Sequence, residues 1–416
     1  MKRGLLGRRI GSIVLFLALL MGFVPVTGSK VYADTETYEK TIAGFDTSVI
    51  ANPMDPGDGD RLWQGSYVYY GTYNGSPVKY RVLSNSTTDF GGTTMLLDSD
   101  RILYIGSFDE YYECTNVWAD SKLKTELNGM FLSENFSAAE QTAIASSTKA
   151  SKNSNDGTVQ YFTYAPLGGE KIFVLDAGEV ANTTYGYSST NGKDGIIQLN
   201  RTKGGAAVIG WLLRSPYTNS SSSDAVSEVS VYGGAGNINS HFAYTRDGGV
   251  SPAMNIDLSR ILFVSCVKNG DWTVDSNSVW VGPEYKLTLS DSRKTVQVTG
   301  GQSVAMAGDG TVTVPYTYTD GATADAEKVN RISVLITNKE YTGSGAQVLY
   351  YGALQNIQNA NGSASTVAEA SVGTGTFSMP SDLWSKTLGT DYHLYILAEH
   401  VNDSKATDYA GVPVEI

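Results

Sequence analysis

The sequence predicts an α+β domain followed by an all-β sandwich, and three observations carry that expectation. Across residues 61–267, strand-like runs give way to helical stripes and then to strands again. After Cys266 helical periodicity almost vanishes, and short apolar runs separated by turn residues fill residues 286–416. Composition agrees: only 17% of the 416 residues are charged, while Gly (45) and Tyr (26) are abundant, a profile of short strands and polar loops on an exported protein.

The N-terminus supports export. Met1–Arg9 is basic, Ile10–Val24 is apolar apart from Gly11, Ser12 and Gly22, and Val31-Tyr32-Ala33 puts small residues at a cleavage site. Residues 1–33 therefore read as a secretory signal cut before Asp34. An uncleaved anchor is the rival reading, but the run is short for a membrane span and Pro25 follows it. No later stretch is apolar enough to span a bilayer, so the expected location is extracellular or cell-wall-associated. Residues 34–60 lack any period and end in a Pro- and Gly-rich loop, which reads as a linker. Asp55, Asp58 and Asp60 offer oxygen ligands for calcium, but not at EF-hand spacing, and an acidic loop explains them as well.

The strands and helices follow in order. Tyr67–Tyr73 and Val78–Leu83 flank Asn74-Gly75, a hairpin signal, with Val78, Tyr80 and Val82 on one face and Lys79 and Arg81 on the other. Thr94–Leu97 is a further strand. Trp118, Leu123, Leu127 and Phe131 form one apolar helical stripe, capped by Asp120 or Ser121 and ended by Gly129. Ser137-Ala-Ala-Glu140 is a capping box that opens a short helix reaching Ile144. Ile172–Leu175 reads as a buried strand, Asp176 and Glu179 cap a short turn, Trp211–Pro216 and Arg260–Cys266 are strands, and short strands surround Glu228–Tyr232. A linker is expected over residues 268–285. Beyond it, Lys286–Leu289, Thr295–Val298, Val312–Tyr318, Ile332–Thr337, Val348–Tyr351, Thr376–Met379, Tyr392–Ala398 and Val412–Ile416 are the strands of the sandwich.

Several motifs recur in one order: Tyr70-Gly71, Tyr80–Leu83, Trp118–Asn128 with Phe131 and Phe136-Ser137, Trp211-Leu-Leu-Arg-Ser-Pro216, Gly249-Val-Ser-Pro-Ala253 and Ile261-Leu-Phe263. With them, residues 61–266 resemble domain of unknown function 6273, a family of exported Gram-positive proteins. Glu126 and Ser251 depart from its pattern, where an aromatic residue and Arg are common. The resemblance implies a C-type-lectin-like fold, related to sulfatase-modifying domains, whose first and last strands pair; Val68–Tyr73 is then expected beside Ile261–Cys266. It also implies that Cys114 lies near enough to Cys266 for a disulfide, with two buried thiols as the alternative. The C-terminal half resembles an immunoglobulin-like sandwich at the level of pattern. Function does not travel with such a frame, which hosts sugar binders, protein binders and an oxidase.

A net charge of -12, with Lys2, Arg3, Arg8, Arg9 and Lys30 all inside the signal, argues against nucleic-acid binding. Three His and two Cys leave little for a zinc cluster, and no phosphate loop, dinucleotide fingerprint or nucleophile elbow is present, so no cofactor is expected. Arg214 stands in an apolar strand and reads as a structural clamp that needs carboxylate or carbonyl partners; Trp211 and Trp118 read as core. The stretch Tyr217–Asp247 gathers Tyr217, Tyr232, Phe242 and Tyr244 with His241 and Arg246 in a Ser/Gly matrix, a mixture of stacking faces and hydrogen bonders typical of binding surfaces. The expected function is non-enzymatic binding of a glycan or cell-surface protein through Tyr217, Tyr232, His241, Tyr244 and Arg246. An oxidase relative or hydrolase, and a structural segment of a larger surface protein, are the rivals.

Overall fold

Asn74 and Gly75 both adopt positive φ (51° and 75°), the backbone that a two-residue hairpin turn demands and that Asn and Gly tolerate. Strands Tyr67–Tyr73 and Ser76–Thr87 pair antiparallel on either side of them. The computed structural model describes residues 40–57, 61–110, 114–150, 165–189, 198–206, 210–217, 225–230, 236–268, 273–274, 280–300, 304–357, 371–402 and 405–416. The signal sequence lies outside the described residues. The protein is mostly β, in several sheets.

Strands Thr94–Ser99, Ala253–Asp257 and Ile172–Phe173 extend the first hairpin into a larger sheet. Alternate residues of these strands, among them Val68, Tyr70, Tyr80, Val82, Leu97 and Met254, enter one large apolar core. Against it packs the helix Lys122–Glu126, capped by Ser121, whose side chain accepts from the Lys124 N–H. The helix does not end at Gly129. It widens through one π turn, Leu127–Phe131, and continues over Leu132–Asn135. Asn128 docks this wide turn: its Oδ1 accepts from the N–H groups of Lys171 and Ile172, and its amide donates to the Ile172 carbonyl. Helix Ala138–Ala143 opens with the reciprocal Ser137 and Glu140 capping box.

Strand Glu284–Ser290 joins the two halves of the chain. One edge runs antiparallel to Ile261–Lys268 along most of its length. The other edge is shared: Glu284–Lys286 pairs parallel with Tyr67–Tyr69, and Thr288–Ser290 pairs parallel with Asp408–Ala410. The expectation that Val68–Tyr73 lies directly beside Ile261–Cys266 is therefore corrected. A strand from later in the chain lies between them and takes up the backbone hydrogen bonds of both. Strand Thr41–Gly44, inside the stretch expected to be a linker, pairs with Val264–Cys266. Four residues are too few to reveal a period in the sequence.

In the C-terminal half, Val348–Asn356, Arg331–Thr337 and His393–His400 form one layer and Lys294–Val298, Thr311–Asp320 and Ser371–Ser378 the other. Val312, Val314, Ile332, Val334, Ile336, Leu394 and Ile396 fill the space between them, the arrangement of a β-sandwich. The alternate residues Leu335, Tyr395 and Leu397 point the opposite way and pack on Ile42 and Phe263. The first layer is thus covered on both faces, by its sandwich partner and by the ribbon of Thr41–Gly44 and Ile261–Lys268.

Candidate binding surface

The strand Gly210–Pro216 anchors the candidate surface and is almost entirely buried. Trp211 is fully buried; its Nε1 donates to the Arg201 carbonyl at 3.2 Å, and Lys203 Nζ lies 4.1 Å from its ring centre. Arg214 is equally buried and commits its guanidinium to protein partners. Nη1 and Nη2 reach the two Glu179 oxygens at 2.7 Å each, Nη2 also reaches Asp176 at 2.8 Å, and Nη1 and Nε donate to the carbonyls of Val174 and Ala165. Burial alone lifts the Glu179 carboxyl, but Arg214 and Lys149 outweigh it and hold the group below the usual carboxylate range. Asp176 and Glu179 also cap each other's backbone N–H groups. Arg214 therefore clamps three segments and has no reach to solvent. Trp118 is buried against Phe108 (ring centres 6.2 Å apart).

A second buried network explains Ser251. Lys203 Nζ donates to Asp98 and to Ser251 Oγ, both at 2.6 Å, and Tyr187 donates to the same Asp98 oxygen at 2.6 Å. Ser251 carries no charge, and Lys203 brings the cation that pairs with Asp98 from another segment. Burial pushes the Lys203 ammonium down to about 8 even though Asp98 favours its charge.

The surface itself grows from the edge of this scaffold. Strands Ala225–Ser230 and Ile238–Phe242 form a hairpin on Gly210–Pro216, within a five-stranded sheet that Gly248–Val250 and Tyr104–Gly106 complete. Val226 is fully buried at its base. After Phe242 the chain turns: Thr245 donates from both its N–H and its hydroxyl to the Phe242 carbonyl, and the Ala243 carbonyl accepts from the Asp109 N–H. His241 is buried at 7% exposure, its Nε2 lying 2.6 Å from Thr245 Oγ1 and 3.3 Å from Asp247. It props the turn from inside and presents no face to a ligand, which corrects its place among the expected contact residues: a strand-end position whose side chain alternates inward was read as outward.

Phe242 is 48% exposed and stacks on the half-buried Tyr244, ring centres 5.4 Å apart at 24°. Arg246, two positions after Tyr244 in the chain, is exposed. Tyr217 sits at the far end of its strand, half-buried against the main core, and Tyr232 lies outside the described residues. Of the five expected contacts, His241 is turned inward, while Tyr217 and Tyr244 are half-buried and Arg246 is exposed; Phe242 joins Tyr244 as a stacked neighbour. Cys114 packs against the main core while Cys266 lies in the ribbon opposite Thr41, and no disulfide joins them. Both cysteines keep their thiols, so the implied bridge is not formed.

Sequence reasoning missed a second concavity. The Asn74-Gly75 turn brings Tyr73, Asn74 and Lys79 against Arg101, Leu103 and Ala206 around a cleft of about 550 Å³. The turn signal was readable, but its facing wall comes from residues about thirty and one hundred thirty positions onward, a long-range pairing with no local mark.

No curated protein matches the chain. A crystal structure of a DUF3823 family protein from Parabacteroides merdae is similar over 44% of this chain and 82% of its own, at 13% identity and a TM-score of 0.19. Residues 91–258, from the turn before strand Thr94–Ser99 to the end of strand Ala253–Asp257, match the model of the family described as a domain of unknown function, DUF6273.

Proposed function

We propose that the chain is an exported, non-enzymatic binding protein that contacts a glycan or a cell-surface protein through Phe242, Tyr244 and Arg246. In this reading a lectin-like α+β domain carries the contact surface and an immunoglobulin-like sandwich supports it. One observation carries the proposal: a stacked aromatic pair, with Phe242 48% exposed, stands on a turn that His241 and Thr245 brace from within. Leaving such a ring in water has no folding benefit, whereas a stacked aromatic face on a braced turn suits sugar rings and protein hot spots at little entropic cost. The basic and apolar N-terminal segment supports export, and N-terminal sequencing of the secreted material is expected to begin at Asp34.

The test is retention on glycan and cell-wall arrays. Phe242→Ala, Tyr244→Ala and Arg246→Ala should each lower retention roughly tenfold, the effect of losing an anchor of about 1.4 kcal/mol. Their melting temperatures should stay at the wild-type value. Unchanged retention in all three would remove this surface from consideration, and loss in a Tyr73→Ala control alone would move the site to the cleft.

A further inference from the structure

The ribbon of Thr41–Gly44 and Ile261–Lys268 carries Lys40 into the face of the sandwich layer that points away from the sandwich core. There Lys40 Nζ lies 2.7 Å from Glu399 Oε2 and 3.4 Å from Asp408 Oδ2. The side chains of all three residues have no exposure at all. Glu399 is held by the hydroxyls of Ser333 and Tyr351, and the rings of Phe263 and Tyr351 lie 5.5 and 5.4 Å from Nζ. Asp408 is held by one oxygen only: Lys286 Nζ donates to its Oδ1 at 2.8 Å, while its Oδ2 has no hydrogen-bond partner. An amine gripped by one carboxylate and facing the unbonded oxygen of a second, all closed to solvent, sets a nucleophile, an electrophile and a proton acceptor side by side.

We propose that Lys40 and Asp408 condense into an intramolecular isopeptide bond, with Glu399 as the proton carrier. The atoms balance without any added reagent. The ammonium of Lys40 gives one proton to Glu399, which exposes the Nζ lone pair, and Nζ attacks Cγ of Asp408. The oxyanion forms on Oδ1, where the Lys286 ammonium stabilises it. The C–Oδ2 bond breaks, and Oδ2 leaves as water with the proton from Glu399 and a second from Nζ. One positive and one negative charge disappear together, and no atom changes oxidation state. The fold supplies proximity, because Lys40, at the entry to strand Thr41–Gly44, holds its amine 3.4 Å from a carboxylate oxygen of Asp408 on another strand. It also supplies dryness: in a site closed to solvent the departing water escapes, and the desolvation cost of a buried ion pair is exchanged for a neutral amide.

Intact mass and peptide mapping of the full-length purified protein test this. The protein is expected to be lighter than its sequence by one water, and trypsin is expected to leave the peptide containing Lys40 joined to Ala406–Ile416, uncut after Lys40. Glu399→Gln and Lys40→Arg should restore the full mass, and circular dichroism should show both still folded. Complete tryptic cleavage after Lys40 in the wild type, or a water lost at any other pair, including Lys286 with Asp408, would overturn the assignment. So would a Glu399→Gln protein that cross-links as the wild type does.

Discussion

Arg214 shows what one buried cation does here. It pairs with Asp176 and Glu179 and satisfies two carbonyls, so replacing it with Met leaves two buried carboxylates to share the single cation of Lys149. Arg214→Met is expected to cost about 3–5 kcal/mol, read as a drop in the urea midpoint at neutral pH. Lys203 yields a pH dependence. Its folded value of about 8 lies below its ordinary 10.5, so between those values the unfolded chain binds more protons, and this group's contribution to stability rises with pH and is lost as pH falls through 8. Urea midpoints at pH 8 and pH 10 should therefore shift in favour of the wild type relative to Lys203→Met. Arg214 was legible because a charge inside an apolar run must find partners. The importance of Lys203 was not, because Asp98, Ser251 and Tyr187 reach it from three distant segments that local pattern does not connect.

At the scale of elements, caps and turns were the most legible features, since each is a short-range device. Asn74-Gly75, Ser121 and the Ser137/Glu140 box act within a few residues of where they are written. The π turn at Leu127–Phe131 was hidden because its docking partner, the Ile172 strand, lies far along the chain. Gly71 is a similar case. It sits at φ 60° in a strand whose register shifts there, donates its N–H to Glu140, and would place a Cβ 2.8 Å from the Asn135 carbonyl. Left-handed backbone and a clash with main chain both oppose a side chain at this position. Gly71→Ala should lower stability by about 2 kcal/mol in denaturant titrations, with loss of the Glu140 contact. A cost near zero would mean that the strand can flatten its bulge.

For the whole molecule, the strand Glu284–Ser290 matters most, because it completes sheets on both sides. Lys286–Leu289 could be read from the sequence as a strand, but only as part of the sandwich, since choice of a parallel partner leaves no trace in alternation. Leu287 and Leu289 enter the core of the N-terminal half, Thr407 hydrogen-bonds Glu140, and Tyr409 meets Ser137. Calorimetry is accordingly expected to show one unfolding transition, and a chain cut after Lys268 should fail to fold, leaving the edges of Tyr67–Tyr73 and Ile261–Lys268 bare. Two separable transitions would show instead that each half stands alone. The placement of Lys40 against Glu399 and Asp408 has a mechanical corollary. With Lys40 joined to Asp408 as proposed, a pull between Lys40 and Ile416 would pass from Lys40 straight into residues 408–416 and bypass the chain between, the aromatic turn included.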